Sequence, residues 1–427
     1  MTLPLPGQKR PFHPFQGTAA RLSALLTVSQ LLLGACGAGG DGGLPITSYW
    51  VQAGLVVADI NLDGLDDVMV ASSYVAGAPP HPGYVEVYMQ MAPGLFHDVQ
   101  RFATAPDPWG LNAGDLNSDG WLDLVAATPA SLPIQAGLPN DSGGVSLLIQ
   151  NPSTPGQFLP SRWLATGGSA QQTAISYLNN DGLADLAVAD GVLVNARALV
   201  YTQSPNVPGS FASPVTLSTG GLRGTTAVVT HDLNGDGRND IVLAATDSVV
   251  VFYQSPLGGY EPALVLSAGL AVSSVAVADL DGNQRPDIVV ANAGHAGSGG
   301  TGGSSLSILL QTGPGVFSSN TLAMPDGTRQ VAVGDLNNDG LPDLAAISLV
   351  YQAQDMPSQI SVVLQSGIVR GQFALHQRQE GPRSANFLAL GHANGDALTD
   401  IFVNAGPAVL LQSSSTHGSF APPQALR

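Results

Sequence analysis

Seven short loops of one design place 19 of the 28 aspartates of this 427-residue chain at recurring ligand positions, and their spacing is that of a cation site. The design is Asp-x-Asn-x-Asp-Gly-x-x-Asp. Full copies comprise Asp59, Asn61, Asp63 and Asp67; Asp115, Asn117, Asp119 and Asp123; Asp232, Asn234, Asp236 and Asp240; and Asp335, Asn337, Asp339 and Asp343. Calcium takes six to eight hard oxygens, from carboxylates, amide carbonyls and backbone. Side chains at positions 1, 3 and 5 of a tight loop converge on one point. The backbone carbonyl at position 7 (Leu65, Trp121, Arg238, Leu341) adds an oxygen, and the position-9 Asp closes the shell from the next strand. Glycine at position 6 permits the positive φ of a sharp turn. The plainer reading is an Asx-rich hairpin turn without metal. Against it, three crowded carboxylates without a cation repel one another.

Three copies depart from the design. The loop from Asp279 keeps Asp281, Asn283 and Asp287, with glycine displaced to Gly282 and Gln284 at position 6. The third copy has Tyr177 first and retains Asn179, Asp181 and Asp185. The seventh has His392 first, with Asn394, Asp396 and Asp400, and Ala397 for the glycine. Neutral imidazole is a poor ligand for a hard cation. About five calcium sites are therefore expected, up to seven. An EF-hand would need a bidentate Glu at position 12, where this chain has Val70, Ala126, Val188, Leu243, Val290, Ala346 and Val403.

The elements that carry the loops repeat with them. Loop starts are 56, 62, 55, 47, 56 and 57 residues apart. An apolar stretch ending in Gln follows each loop (Gln90, Gln150, Gln203, Gln254, Gln311, Gln365, Gln412). Six or eight residues on comes an aromatic (Phe96, Phe158, Phe211, Tyr260, Phe317, Phe373, Phe420). β-Branched and small apolar residues, turn punctuation and the lack of long 3.6-period segments point to short strands. In unit 6 these are Gln330–Gly334, Asp343–Ile347, Ile360–Gln365 and a fourth near Phe373. Four strands per unit, seven times, predict an all-β fold: a seven-bladed β-propeller of four-stranded antiparallel blades over residues 49–427. A linear solenoid is the competing architecture, but neither end shows a capping repeat.

Loops and apolar flanks together resemble the FG-GAP/VCBS repeats of integrin α subunits and many bacterial surface proteins. The resemblance covers about residues 50–427 and is specific to the repeat rather than to one activity. It implies that the loop joins the first two strands of a blade and binds calcium structurally, on the face opposite the usual ligand surface.

The opposite face would carry connections of unequal length: long at Ser72–Tyr84, Ala127–Gly144 and Asn292–Ser305, short at Thr246–Ser248 and Ala405–Pro407. Variable loops on a regular scaffold are where binding usually resides. Segments entering the first strands bring Trp109, Gln171, Arg223, Arg329 and Arg383. An anionic or sugar-like ligand, stacked on Trp109 and paired by the three arginines, is one expectation; solvated loop residues are the other. The chain has no HExxH or GxSxG, and no phosphate-loop lysine follows Gly299–Gly303, so no enzyme is expected.

Residues 1–35 read as a lipoprotein signal peptide: no acid, three cations, then an apolar run to Leu33-Gly34-Ala35-Cys36. Cys36 is the only cysteine, and the segment resembles the lipobox in which that residue is lipidated. Residues 36–48 read as a Gly-rich tether. Beyond the leader stand eleven arginines against 31 acids, a net −20 that bound calcium would largely offset. Such a charge excludes nucleic-acid binding. The sequence thus predicts an extracytoplasmic module anchored through Cys36, with the outer membrane favoured, that binds a protein or glycan at the cell envelope. The alternatives are a purely structural scaffold, or a propeller hydrolase or lyase with a central-funnel site.

Overall fold

The computed structural model describes residues 48–76, 81–130, 143–191, 196–294, 303–325, 327–350 and 357–426. The leader, Cys36 and the tether to residue 47 lie outside the described residues, as do parts of the long connections after Ser72, Ala127 and Asn292. Ile46–Arg427 forms one compact unit.

Each repeat makes its own antiparallel sheet of four strands, and there are seven. In blade 6 the strands are Thr328–Gly334, Asp343–Leu349, Ser358–Gln365 and Phe373–Glu380. The Asp loop joins the first strand to the second. In every blade the position-9 Asp pairs with the residue just before the loop, from Asp67 opposite Ala58 to Asp400 opposite Gly391. First strands lie beside first strands of the neighbouring blades all the way round, including Ser48–Ala58 beside Leu388–Gly391, so they form the innermost ring.

Second strands are apolar on both faces because each is packed between two blades. All seven position-12 residues are fully buried, which disposes of any EF-hand ligand there. Outer strands such as Val316–Ala323 are mostly exposed. The core is distributed as one apolar cluster per seam between blades. The last cluster packs Leu55, Val68, Val70 and Phe96 of blade 1 against Ala393, Phe402 and Val409 of blade 7. The array therefore closes on itself, and the solenoid is excluded. Among the described residues no strand of one terminal repeat enters the sheet of the other, so closure rests on side chains and on the backbone bond from Gly94 N–H to Ala393 O.

The Gln and the aromatic that recur in sequence are cross-strand partners. Each Gln lies within two residues of the end of its third strand and pairs with its aromatic across the turn to the fourth, in all seven blades. This turn and the Asp loop share one face of the ring.

Candidate metal loops

Within a loop, the Asx side chains turn their oxygens inward. In blade 1 the Asp59 carboxylate accepts the N–H groups of Asp63 (2.9 Å) and Gly64 (2.8 Å). Asn61 Oδ1 accepts the Asp63 N–H at 3.0 Å and its Nδ2 donates to Asp63 Oδ2 at 2.9 Å. Asp63 Oδ1 accepts the N–H of Leu65 at position 7. Blades 2, 4 and 6 repeat this pattern through Trp121, Arg238 and Leu341. The turn needs two left-handed residues. Position 6 has positive φ in every blade, including Gln284 and Ala397, and so does position 4, at Leu62, Ser118, Asn180, Gly235, Gly282, Asn338 and Gly395. Gly282 is therefore at home rather than displaced, because position 4 makes the same demand.

In blade 5 one carboxylate oxygen from each of Asp279, Asp281 and Asp287 lies within 4.8 Å of the other two. Asp279 Oδ2, Asp281 Oδ1 and both Asp287 oxygens each accept one backbone N–H and keep a second lone pair, so this donor set fits a hard divalent cation. Blade 3 keeps the Asn179–Asp181 pair but has an exposed tyrosine, Tyr177, at position 1. In blade 7 Asn394 and Asp396 keep theirs, while His392 faces Asp66 of blade 1, its N–H 2.7 Å and its Nδ1 3.3 Å from Asp66 Oδ2. In blade 4 the Arg238 guanidinium pairs with Asp236 Oδ2, a neutralisation the other full loops lack.

The position-9 aspartates (Asp67, Asp123, Asp185, Asp240, Asp287, Asp343, Asp400) are fully buried. In each, Oδ2 accepts the N–H of the position-2 residue and Oδ1 the N–H of the recurrent Gln; for Asp123 these are Leu116 (2.9 Å) and Gln150 (2.8 Å). Burial pushes the Asp67 and Asp123 carboxyls up to about 7, opposed by those two bonds and reinforced by the neighbouring loop carboxylates. Asp240, Asp287 and Asp343 rise to about 6 by the same causes, and Asp185 and Asp400 shift the same way. A bound cation would reverse this cost.

The residues expected on the opposite face lie in five blades. Arg329 is half-buried at a β-bulge six residues before its loop, as are Gln171, Thr226 and Ser273. Bulges re-aim side chains, and here Thr226 and Ser273 bond the next inner strand at Val272 and Thr328. Trp109 holds the equivalent position in blade 2. Its ring packs edge-to-face on Phe387 of blade 7, with centroids 5.8 Å apart. Arg223 and Arg383 are exposed and sit nine residues before their loops. Arg223 borders a depression of about 420 Å3 with Thr246 and Asp247. Sequence reasoning missed Phe387, although its place five residues before the seventh loop matches the close-packed Gly54 and Gly110.

Fold and loops together define a seven-bladed β-propeller with acidic turns on one face. The FG-GAP-like repeat family matches residues 59–126, 178–243 and 232–290. The chain thus carries FG-GAP-like repeats over those residues, within its seven-bladed propeller. Human integrin alpha-8 is 33% identical over 174 residues, which is 36% of this chain and 15% of the integrin. Less than a sixth of that relative is therefore matched. Two solved structures superpose on most of the chain: an Agrocybe aegerita lectin that recognises non-reducing terminal N-acetylglucosamine (TM-score 0.52, 16% identity, 88% of this chain and 94% of that one) and a Lactobacillus plantarum protein (TM-score 0.52, 13% identity, 82% and 92%).

Proposed function

We propose that this chain is a calcium-stabilised, lipid-anchored propeller of the cell envelope that binds a protein or glycan and catalyses nothing. The observation that carries the reading is the division of labour between faces. All seven Asp loops stand on one face, while the other has connections of unequal length and the bulges that re-aim Gln171, Thr226, Ser273 and Arg329. Regular loops suit a structural ion; irregular ones suit recognition. Calcium at positions 1, 3, 5, 7 and 9 would supply the positive charge that the buried position-9 carboxylates lack, and so rigidify each blade. The lectin of the same fold is compatible with a glycan ligand, and the integrin repeats with a protein one.

The test is a glycan and surface-protein binding screen with and without calcium, repeated with Arg223→Ala, Arg329→Ala and Arg383→Ala combined. A ligand bound only with calcium and weakened by the triple variant is expected. Unchanged affinity in that variant would remove the arginines from the site. Anchoring is tested separately: Cys36→Ala should release the protein from the membrane fraction, and retention would refute lipidation there.

A further inference from the structure

The recurrent glutamines do more than end a strand. Gln150 of blade 2 donates from Nε2 to Leu122 O in its own blade (2.7 Å) and to Ile60 O in the Asp loop of blade 1 (3.0 Å). Its Oε1 accepts the Gly156 N–H at 2.7 Å, so both amide donors and the acceptor are engaged. Ile60 in turn donates its N–H to Asp67 Oδ2 at 3.0 Å, and the Gln150 N–H bonds Asp123 Oδ1. Three hydrogen bonds thus join the position-9 carboxylates of adjacent blades, through residues that are wholly buried.

The same link recurs where Gln254 donates to Leu178 O, Gln311 to Leu233 O (3.1 Å), Gln412 to Leu336 O and Gln90 to Ala393 O. At two seams it is interrupted. Gln203 and Gln365 hold only carbonyls and glycines of their own blades, those of Ala184 and Gly209, and of Pro342 and Gly371. The belt therefore falls into two arcs, blades 6-7-1-2 and blades 3-4-5.

We propose that each linking glutamine is a positioning residue for the cation loop of the preceding blade, so that filling one loop is felt in the next within an arc and not across a break. This rests on the calcium reading of the loops. A cation drawn to the position-9 Asp orders that carboxylate and the position-2 residue bonded to it. The carbonyl of that same residue carries the neighbour's glutamine, whose N–H fixes the neighbour's position-9 Asp. In a close-packed interior such a chain has little slack.

Blade 2 carries its own reporter, because Trp121 occupies position 7 of its loop. Terbium bound there is sensitised by tryptophan excitation, and Trp121→Phe identifies that share of the emission. In the full propeller, Asp63→Ala in blade 1 should weaken terbium binding at the Trp121 site about fivefold, the low end of coupling between sites. In a Gln150→Leu background the same substitution should leave it unchanged. Asp181→Ala in blade 3, across a break, should also leave it unchanged. Equal effects of Asp63→Ala with and without Gln150, or no effect in either, overturn the inference. Should Asp63→Ala fail to fold, Asp63→Asn keeps the loop's shape and serves in its place. No Trp121-dependent emission from the unsubstituted protein would instead refute the calcium reading itself.

Discussion

The side-chain amide of Gln90 in blade 1 donates to the backbone carbonyl of Ala393 in blade 7, 303 residues further along the chain. With no strand exchanged between the two ends among the described residues, this bond, the Asp66–His392 contact and the Phe402 cluster close the ring.

The closing seam should therefore unfold in proportion to what each contact buries. Ala393 O also accepts the Gly94 N–H, so Gln90→Leu should cost about 1 kcal/mol, the net value of one hydrogen bond. Phe402→Ala should cost about 3–5 kcal/mol, as fully buried aromatics do. Urea unfolding measures both; a larger loss for Gln90→Leu would make the seam polar rather than apolar in origin.

Gly54 should tolerate no side chain. It sits at φ +47, and a Cβ there would come within 2.6 Å of Trp109 O in the next blade. Backbone cannot yield as a flexible side chain does, so Gly54→Ala should lose about 2 kcal/mol or more. By contrast Gly94→Ala, also left-handed but with open space around it, should lose about 1 kcal/mol. Equal thermal shifts would show that the contact with blade 2 is looser than described.

Loops should differ in cation affinity by their ligand sets. Asp335→Ala or Asp339→Ala removes a carboxylate from a full set, whereas Asp396→Ala acts on a loop that begins with His392. Either blade 6 substitution should reduce calcium-dependent stabilisation more than Asp396→Ala does, by roughly 1–3 kcal/mol of coupling lost. The reverse order would reverse the ranking of blades 6 and 7.

Without calcium, stability should fall as pH rises. The position-9 carboxyls have folded pKa values pushed up to about 7 at Asp67 and Asp123, above the ordinary value near 4 of an unfolded chain. Between those values the folded state binds more protons, so its stability declines from about pH 4 to pH 7. Calcium should flatten the profile near neutrality. Melting in chelator at pH 5.5 and 7.5 checks the sign; greater stability at pH 7.5 would contradict it.

Much of this was legible in sequence because each repeat marks the same places. Loop, Gln and aromatic recur at fixed offsets, which located strand ends to within a few residues: Gln330–Gly334 was extended only to Thr328–Gly334. What one repeat cannot show is contact with another. The amide of Gln150 looks like a strand terminator until Ile60 of blade 1 is beside it. Trp109 reads as a ligand-stacking or solvated loop residue until Phe387 arrives from blade 7, and His392 as a poor ligand until Asp66 faces it. The left-handed residue at position 4 was hidden for another reason: Leu62, Ser118 and Asn338 adopt it without glycine.

Calcium bound to the folded propeller is the central claim, and calorimetric titration of chelator-stripped protein, paired with melting in calcium and in chelator, tests it most directly. About five equivalents should bind, and each site held at a hundred times its Kd should add about 2.7 kcal/mol of stability. No bound calcium, together with identical melting in excess chelator, would contradict the account.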